Sequence, residues 1–349
     1  MRLIDATNAE EYLRTEGHLA SGETVEVREL SGGVSNRVLY VSRNGNDDFV
    51  VKQALAQLRV ADPWFCDVER IWREVEVMRI CENLIASDVA SASLRAQTPR
   101  LLFEDRENYL FGMSAAPPDH VVWKSELLSG RARTDIAAGC GDLLGRLHAR
   151  TWHDNKVARH LDDRQFFDEL RLDPFYRQIA RVHPDLEPAI TRLIDSVHHE
   201  RHCLVHGDFS PKNLLIYNHQ LMLIDFEVGH YGDPAFDLGF FLSHLVLKAF
   251  CFAPHDEPYF GLTETFWKHY RAQMLNAISA GEYDTLVQRA ILNTAGCALA
   301  RIDGKSKVDY LEKPRRREQV RQLCRTLFAE SPPHWEDVLA GVHVILEDD

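Results

Sequence analysis

The chain reads LVHGDFSPKNLL over residues 204–215, and LIDF follows at residues 223–226. This stretch places Asp208 and Asn213 on a short turn-rich loop between two apolar runs, and it places Asp225 at the end of the next apolar run. Asp, Ser, Pro and Asn are common turn formers, so each residue alone indicates no more than a turn. Taken together, two carboxylates and an amide with this spacing predict one polar site.

The spacing is typical of sites that transfer a phosphoryl group from ATP to a hydroxyl. Asp208 is the candidate catalytic base, which accepts or orients the proton of the attacking hydroxyl. Asn213 and Asp225 are the candidate ligands of Mg²⁺, since that ion prefers hard oxygen donors. The sequence therefore predicts ATP and Mg²⁺ as cofactors.

Three neighbouring residues are further candidates. Two of them have two interpretations each, and the third has a structural role. His206 either holds the loop by hydrogen bonds to the backbone or takes part in the chemistry. Lys212 either neutralises the transferred phosphate or is a solvated surface residue. Asp237 is expected to anchor the loop by accepting backbone hydrogen bonds.

A second candidate element is the glycine-containing turn LSGGVSN at residues 30–36, between two predicted strands. Glycines let the backbone approach an anion closely and present N–H groups to it. A hairpin with two glycines is more often a simple turn, so this signal alone is weak. The candidate phosphate-binding residues are Ser31, Gly32, Gly33, Ser35 and Asn36.

Lys52 ends the third predicted strand and is the candidate cation for the ATP phosphates. A lysine after a strand is usually a surface residue whose ammonium reaches water. Its expected partner is a carboxylate on the following helix, and we favour Glu74, which shares a helix face with Ile71 and Met78. The alternative is that Glu74 is a solvated helix carboxylate.

Hydrophobic periodicity predicts a sheet-rich first part, residues 1–115, and a mostly helical second part, residues 116–349. The proline-rich SAAPP at residues 114–118 is the candidate hinge between them. Thr7 and Glu10 predict a capping box that opens a first short helix. Further predicted strands cover 24–30, 38–41, 49–52, 101–103 and 109–113, and predicted helices cover 66–85, 136–151, 166–181, 188–199, 261–278, 282–300 and 315–328. This is an α+β, two-lobed plan like that of protein kinases.

Composition places the 349-residue chain among ordinary soluble proteins, with 45% hydrophobic and 27% charged residues. The formal net charge of −13 argues against nucleic acid or an anionic membrane as the main partner. Seven cysteines without a CxxC pair favour reduced thiols in a cytoplasmic protein. The apolar run at 238–252 is interrupted by His244 and Lys248, and it predicts a buried helix rather than a membrane span.

The quoted residues resemble the aminoglycoside phosphotransferase and choline kinase family, relatives of eukaryotic-type protein kinases. LVHGDFSPKNLL and LIDFEVGHYGDPAFDLG, at 204–215 and 223–239, look like the two signature stretches of that family. LSGGVSN resembles its phosphate loop, and LLGRLHA at 143–149 its helix before the catalytic segment. The resemblance covers roughly residues 29–310.

The resemblance implies a role for individual residues. Lys52 and Lys212 would contact ATP phosphates, and Glu74 would pair with Lys52. Asp208 would be the catalytic base, with Asn213 and Asp225 binding Mg²⁺. The neighbourhood of Met113 would be the adenine hinge.

Two departures from protein kinases indicate a small-molecule acceptor. Glu227 stands where a protein kinase has glycine, and no activation segment separates it from the GDP sequence at 232–234. The family phosphorylates aminoglycosides, amino alcohols and sugars, and the sequence does not choose among them. Residues 300–306 form either a wall of the acceptor pocket or a turn that ends a helix.

These observations predict an ATP- and Mg²⁺-dependent O-phosphotransferase, monomeric or homodimeric. A nucleotide-binding pseudokinase with a regulatory role is the alternative, disfavoured because Lys52, Asp208, Asn213 and Asp225 are all present. A resistance enzyme and a metabolic kinase would differ only in the acceptor.

Overall fold

A computed structural model describes residues 1–30, 33, 35–59, 64–86 and 94–347. Its first part is a five-stranded antiparallel sheet in the order β1-β2-β3-β6-β5, flanked by two helices. The helices are α1 (Ala9–Thr15) and α2 (Arg70–Ala86), and the strands are β1 (Val25–Glu29), β2 (Asn36–Arg43), β3 (Phe49–Ala54), β5 (Leu101–Asp105) and β6 (Leu110–Ser114). Strand β1 forms where alternating residues predict it, α2 where helical spacing predicts it, and β2, β3, β5 and β6 at the predicted apolar runs.

Two small sheets link this part to the helical remainder. One has the order β4-β10-β9-β7 and the other pairs β11 with β8. Their strands are β4 (Arg95–Gln97), β7 (Val121–Val122), β8 (Cys203–Val205), β9 (Leu214–Tyr217), β10 (Gln220–Leu223) and β11 (His230–Gly232). The 206–213 loop therefore runs from β8 to β9, and Asp225 follows β10 directly.

The second part is built from helices around an extended apolar core. They are α3 (Trp123–Leu128), α4 (Thr134–Thr151), α5 (Asn155–Leu161), α6 (Gln165–Phe167), a π-helical stretch (Asp168–Arg177), α7 (Gln178–Val182), α8 (Glu187–His199), α9 (Pro234–Phe252), α10 (Glu257–Met274), α11 (Ala280–Asp303), α12 (Pro314–Glu330) and α13 (Trp335–Glu347), with 3₁₀ turns at Pro184–Leu186 and Pro211–Asn213. The predicted two-lobed α+β fold is confirmed.

Helix α9 is central to this part of the molecule. Its length and hydropathy would suit a membrane span, but 89% of its most apolar window is buried inside the fold. It begins with Asp233 as N-cap, whose side chain accepts from the Ala235 N–H, and Pro234 in the first turn. The helix packs against α10 and α11 and serves as the core of the helical part.

The capping box predicted at the first helix was wrong. Helix α1 has Asn8 as N-cap with no side-chain capping bond, and Thr7 instead donates its hydroxyl to Asp5 at 2.6 Å. A local side-chain turn therefore competes successfully with the cap. The sequence analysis did not predict four elements. Three of them are short, namely α3, α5 and β4, and the fourth is the last helix, α13.

Candidate active site

The 206–213 loop presents the Asp208 carboxylate between three donors. Its Oδ1 lies 2.9 Å from Arg171 Nη2, and its Oδ2 lies 2.8 Å from Lys212 Nζ. Oδ2 also accepts a hydrogen bond of 2.8 Å from Asn213 Nδ2. Asp208 is only 2% exposed, and its Oδ2 is fixed by Asn213 and Lys212. Its Oδ1 faces the Arg171 cation but accepts no hydrogen bond from the described residues.

Asp237 fixes the start of this loop from helix α9. Its carboxylate accepts from the backbone N–H of His206 at 2.7 Å and of Gly207 at 2.8 Å, as the sequence predicted. Asp237 is fully buried, and His148 Nε2 lies 3.3 Å from it. The first turn of α9 therefore positions the loop.

His206 supports the loop from within. Its Nδ1 accepts the backbone N–H of Asp208 at 3.1 Å, and burial lowers its pKa. A neutral ring with an unprotonated Nδ1 satisfies both observations. Of the two interpretations of His206, the structure therefore favours the supporting one.

Lys52 lies between two carboxylates at the junction of the two parts of the molecule. Its Nζ is 2.8 Å from Glu74 Oε1 and 2.6 Å from Asp225 Oδ1. Burial alone would lower the pKa of Lys52, but Asp225 and Glu74 outweigh it and raise that pKa. Burial would raise the pKa of Asp225, and Lys52 and Lys212 outweigh it and lower that pKa. Burial raises the pKa of Glu74 to about 7, with Lys52 opposing that shift, so Lys52 and Asp225 form the firmly charged pair. Glu74 is the hydrogen-bonded partner of Lys52 that the sequence favoured.

The backbone at Asp225 is strained. Its φ of 72° lies in the left-handed region, which non-glycine residues rarely adopt. Glu74 also accepts the backbone N–H of Phe226 at 3.4 Å, which ties helix α2 to this turn. Such strain persists only where the surroundings determine it, and it is concentrated at functional sites.

The Asn213 and Asp225 side chains suit Mg²⁺. Asn213 commits its Nδ2 to Asp208, which sets the amide orientation and leaves Oδ1 as the acceptor end. Asp225 is 21% exposed, and Lys52 occupies only Oδ1 closely. Among the described residues, Glu74, Asp225 and Glu227 also form a compact carboxylate group. Glu74 and Glu227 are engaged by Lys52 and Arg70, so Asp225 is the member best able to bind an ion.

A buried polar junction around Glu227 was not predicted. Glu227 accepts from Ser35 Oγ at 2.6 Å, from Asn36 Nδ2 at 2.7 Å and from Arg70 Nε at 3.2 Å. Arg70 is fully buried and also donates to the carbonyl of Leu55 at 2.9 Å. The residue that departs from the protein-kinase pattern thus connects the turn after Asp225 to β2 and α2.

The glycine-containing turn is only partly described. Ser31 and Gly32 lie outside the described residues, while Gly33 is exposed. Ser35 and Asn36 stand at the start of β2 with their side chains on Glu227. Contact of this turn with phosphates stays a prediction.

Met113 lies in β6 opposite Val50 of β3, just before the proline-rich link. A small apolar cluster of Ala116, Leu215, Tyr217 and Met222, with Ile224 packed against it, follows this link. Leu215 comes soon after Asn213 and Ile224 directly precedes Asp225. A small buried apolar cluster is therefore connected through β9 and β10 to the residues of the polar site.

Arg171 is the functional candidate that the sequence analysis missed. It comes from the π-helical stretch, donates to the Gly207 carbonyl at 2.8 Å and reaches Asp208. Its position depends on a tertiary contact between a helix and a distant loop, and no local spacing signals that contact. Arg70 was missed for the same reason.

The sequence pattern described as the phosphotransferase enzyme family matches residues 26–264. Methylthioribose kinase of Pectobacterium atrosepticum is 26% identical over 285 residues, which cover 72% of this chain and 68% of that protein. Methylthioribose kinase 1 of Oryza sativa subsp. japonica is 23% identical, covering 71% of this chain and 63% of that protein.

Solved structures share the fold at low identity. Choline kinase from Cryptosporidium parvum Iowa II matches with a TM-score of 0.56 and 13% identity, covering 96% of this chain and 100% of that one. An amicoumacin kinase solved with AMP-PNP, Ca²⁺ and Ami matches with a TM-score of 0.57 and 12% identity, covering 95% and 97%. These similarities support the kinase-like fold.

Proposed function

The chain belongs to the phosphotransferase enzyme family, and from that premise we propose that Asp208 is the catalytic base of a Mg²⁺-dependent phosphoryl transfer. The enzyme is a small-molecule kinase that uses ATP to phosphorylate a hydroxyl group. The observation that carries the assignment of Asp208 is its position, buried and fixed between Arg171, Lys212 and Asn213 on a loop anchored by Asp237.

The proposed step is a direct displacement. The acceptor oxygen attacks the γ-phosphorus, a new O–P bond forms, and the bond to the bridging oxygen between the β- and γ-phosphates breaks, releasing ADP. The hydroxyl proton passes to the Asp208 carboxylate as that bond forms. Asp208 also orients the hydroxyl before transfer, because Asn213 fixes Oδ2 and leaves Oδ1 without a hydrogen bond from the described residues.

Lys52 binds the nucleotide phosphates, and Glu74 holds its ammonium in position. Asn213 and Asp225 are the residues that would hold Mg²⁺, which when bound neutralises charge on the β- and γ-phosphates. Lys212 lies 2.8 Å from Asp208 and 3.9 Å from Asp225, a position from which it can stabilise charge on the transferred group.

The nucleotide base is assigned to the link after β6. Met113 and the following segment contribute the hinge, and Ala116, Leu215 and Ile224 supply an apolar surface for adenine. We place the boundary between the two lobes here, with residues 1–115 as the small lobe and 116–349 as the large one. Ser31, Gly32, Gly33, Ser35 and Asn36 are proposed to cover the phosphates.

The proposed acceptor is a small hydroxylated metabolite in the cytoplasm. Methylthioribose kinases among the relatives make a sugar one candidate, but an identity near 26% does not carry over the substrate. The four residues Lys52, Asp208, Asn213 and Asp225 favour an active enzyme over a pseudokinase.

The test is an ADP-release screen against sugars, amino alcohols, sugar acids and aminoglycosides. Asp208→Asn should lower turnover by about 10²- to 10⁴-fold while Mg·ATP still binds. Asp225→Asn should weaken binding of Mg·ATP itself. Asp284→Asn, at an exposed position in α11, is the control for loss of a carboxylate. Full turnover by the Asp208 variant would contradict the mechanism.

A further inference from the structure

A cluster of basic side chains lies next to Asp208. We call Arg171, Lys212, His244, Lys248 and Arg301 the basic cluster. Burial, together with the cations Lys248, Arg301 and Lys212, holds the pKa of His244 well below 6.5, so His244 contributes a neutral ring. Burial also lowers the pKa of Arg301, and Asp208 is among the groups that oppose this shift. Phosphoryl transfer as proposed above uses only Arg171 and Lys212, at the edge of the cluster.

Helix α9 supplies the deepest members of the cluster. His244 and Lys248 stand one helical turn apart, continuing a row that begins with Phe240, over whose ring Arg171 stacks at 5.4 Å. Helix α11 supplies Arg301. The helix that anchors the loop of Asp208 therefore also carries the basic row.

Lys248 is buried without a carboxylate partner. It is fully buried, its ammonium donates to the His244 carbonyl at 3.1 Å, and it lies 5.0 Å from the centre of the Tyr310 ring. No acidic side chain of the described ranges pairs with it. A buried charge of this kind is costly unless it is compensated.

Unsatisfied polar atoms surround the same place. Arg301 donates through Nη1 to Ser306 Oγ at 2.6 Å, but its Nε has no hydrogen-bond partner within the described part of the chain. The same holds for His244 Nε2 and the Tyr310 hydroxyl, both buried. Buried polar groups are normally satisfied, so this group of donors calls for a ligand.

Asp208 pairs with Arg171 and Lys212, but no carboxylate of the described residues pairs with Lys248 or Arg301. Asp309 lies 3.7 Å from Lys124, and its side chain is 84% exposed. Asp173 is engaged by Lys305 at 3.4 Å and by Arg181 at 3.1 Å. Lys248 and Arg301 thus lack an ion-pair partner within the described ranges, although the whole chain is acidic.

We propose that the basic cluster binds an oxyanion, a carboxylate or a phosphate, carried by the acceptor whose hydroxyl is phosphorylated. The inference rests on the proposed function and specifies its substrate class. Arg301 and His244 contact the anion, while Lys248 provides a buried charge behind them. Burial lowers the pKa of Lys248 to about 7, and a bound anion would favour its protonated form. Polycationic aminoglycosides are disfavoured by the same charges.

Matched acceptors that differ in charge test this proposal. One series of acceptors is glucose, gluconate, glucose 6-phosphate and glucosamine. The other is glycerol, glycerate, glycerol 3-phosphate and choline. The rate of ADP release is measured with each compound. We expect the anionic members to have the highest kcat/KM, and the carboxylate and phosphate members to show which oxyanion is preferred. Equal or greater turnover of the neutral or cationic members would overturn the proposal.

Variants separate substrate binding from chemistry. Lys248→Met and Arg301→Gln should raise KM for the preferred anion by about 10- to 100-fold, with kcat and KM for ATP nearly unchanged. Lys268→Met, which removes an exposed lysine of α10, is the matched control. Equal losses on neutral and anionic acceptors would mean that the cluster is only structural.

Anion binding is also measured without turnover. Gluconate, glycerate and inorganic phosphate should raise the melting temperature of the wild-type protein relative to chloride at equal ionic strength, and Lys248→Met should abolish the shift. If no anion shifts the melting temperature and no anionic acceptor is phosphorylated, but ATP is still consumed with other acceptors, the anion-binding inference fails and the proposed function stands. If Mg·ATP neither binds nor is consumed, the proposed function fails as well.

Discussion

Removal of the Glu227 carboxylate should destabilise the protein strongly, because it leaves a buried guanidinium without its ion pair. Glu227 is 5% exposed and accepts three hydrogen bonds, from Ser35, Asn36 and Arg70. Loss of one partner of a buried ion pair costs about 3–5 kcal/mol. Arg70 keeps carbonyl partners, including Leu55, so we expect Glu227→Ala to lie near the lower end of that range.

The measurement is the free energy of unfolding from urea denaturation. Glu104→Ala is the control, since Glu104 also accepts from two arginines, Arg79 and Arg106, whose side chains are 53% and 68% exposed. An exposed pair contributes only about 0–1 kcal/mol, so the control should change little. Equal effects of the two substitutions would refute the reasoning.

A double variant tests the cause of the loss. Glu227→Ala with Arg70→Met removes the buried cation together with its partner, and an apolar replacement of both members of such a pair is often neutral. The double variant should therefore be more stable than Glu227→Ala alone. If the two losses simply add, the unpaired charge is not the cause.

Further predictions concern the loop of Asp208 and the cation beside it. Gly207→Ala should cost about 1–3 kcal/mol and reduce turnover, because Gly207 has a φ of 76° and an added Cβ would lie 2.9 Å from Val228, as measured by unfolding and ADP release. Lys52→Met should raise KM for ATP far more than KM for the acceptor, and an equal rise of both in steady-state kinetics would contradict its role. Burial would raise the pKa of Asp237, but His148 and backbone hydrogen bonds outweigh burial and lower that pKa below 3.8. The ionised Asp237 carboxylate therefore stabilises the fold above pH 3.8, and this stabilisation is lost as the pH falls below that value. Asp237→Asn should remove that part of the acid sensitivity in urea unfolding between pH 2 and 5, and an unchanged pH profile would argue against it.

Local signals predicted most of the fold. Alternating residues located β1 and helical spacing located α2, because burial of one face imposes those periods on the sequence. Short apolar runs located β2 and β3, and all six residues of β3 are buried. Strand β4 was missed, since a three-residue strand that pairs in parallel with β10 has no local period to reveal it. Its formation depends on a partner far along the chain.

The site was predictable where chemistry requires residues close together in sequence. Asp208 and Asn213 share one loop, so their spacing is visible, and Asp225 follows the next hairpin. Arg171 reaches Asp208 from a separate helix, and only packing brings it there. Within residues 300–306, Gly304 ends α11, as the turn interpretation predicted, and the acceptor-wall interpretation stays a prediction.

Helix α9 carries Asp237 in its first turn and Lys248 near its other end, about 16 Å apart along a rigid rod at 1.5 Å per residue. A displacement of this rod would shift the catalytic loop and the acceptor's anchor together, so their relative distance is preserved. Substitutions near the Lys248 end of α9 would accordingly change which acceptor is bound, while the catalytic loop keeps its position at the Asp237 end.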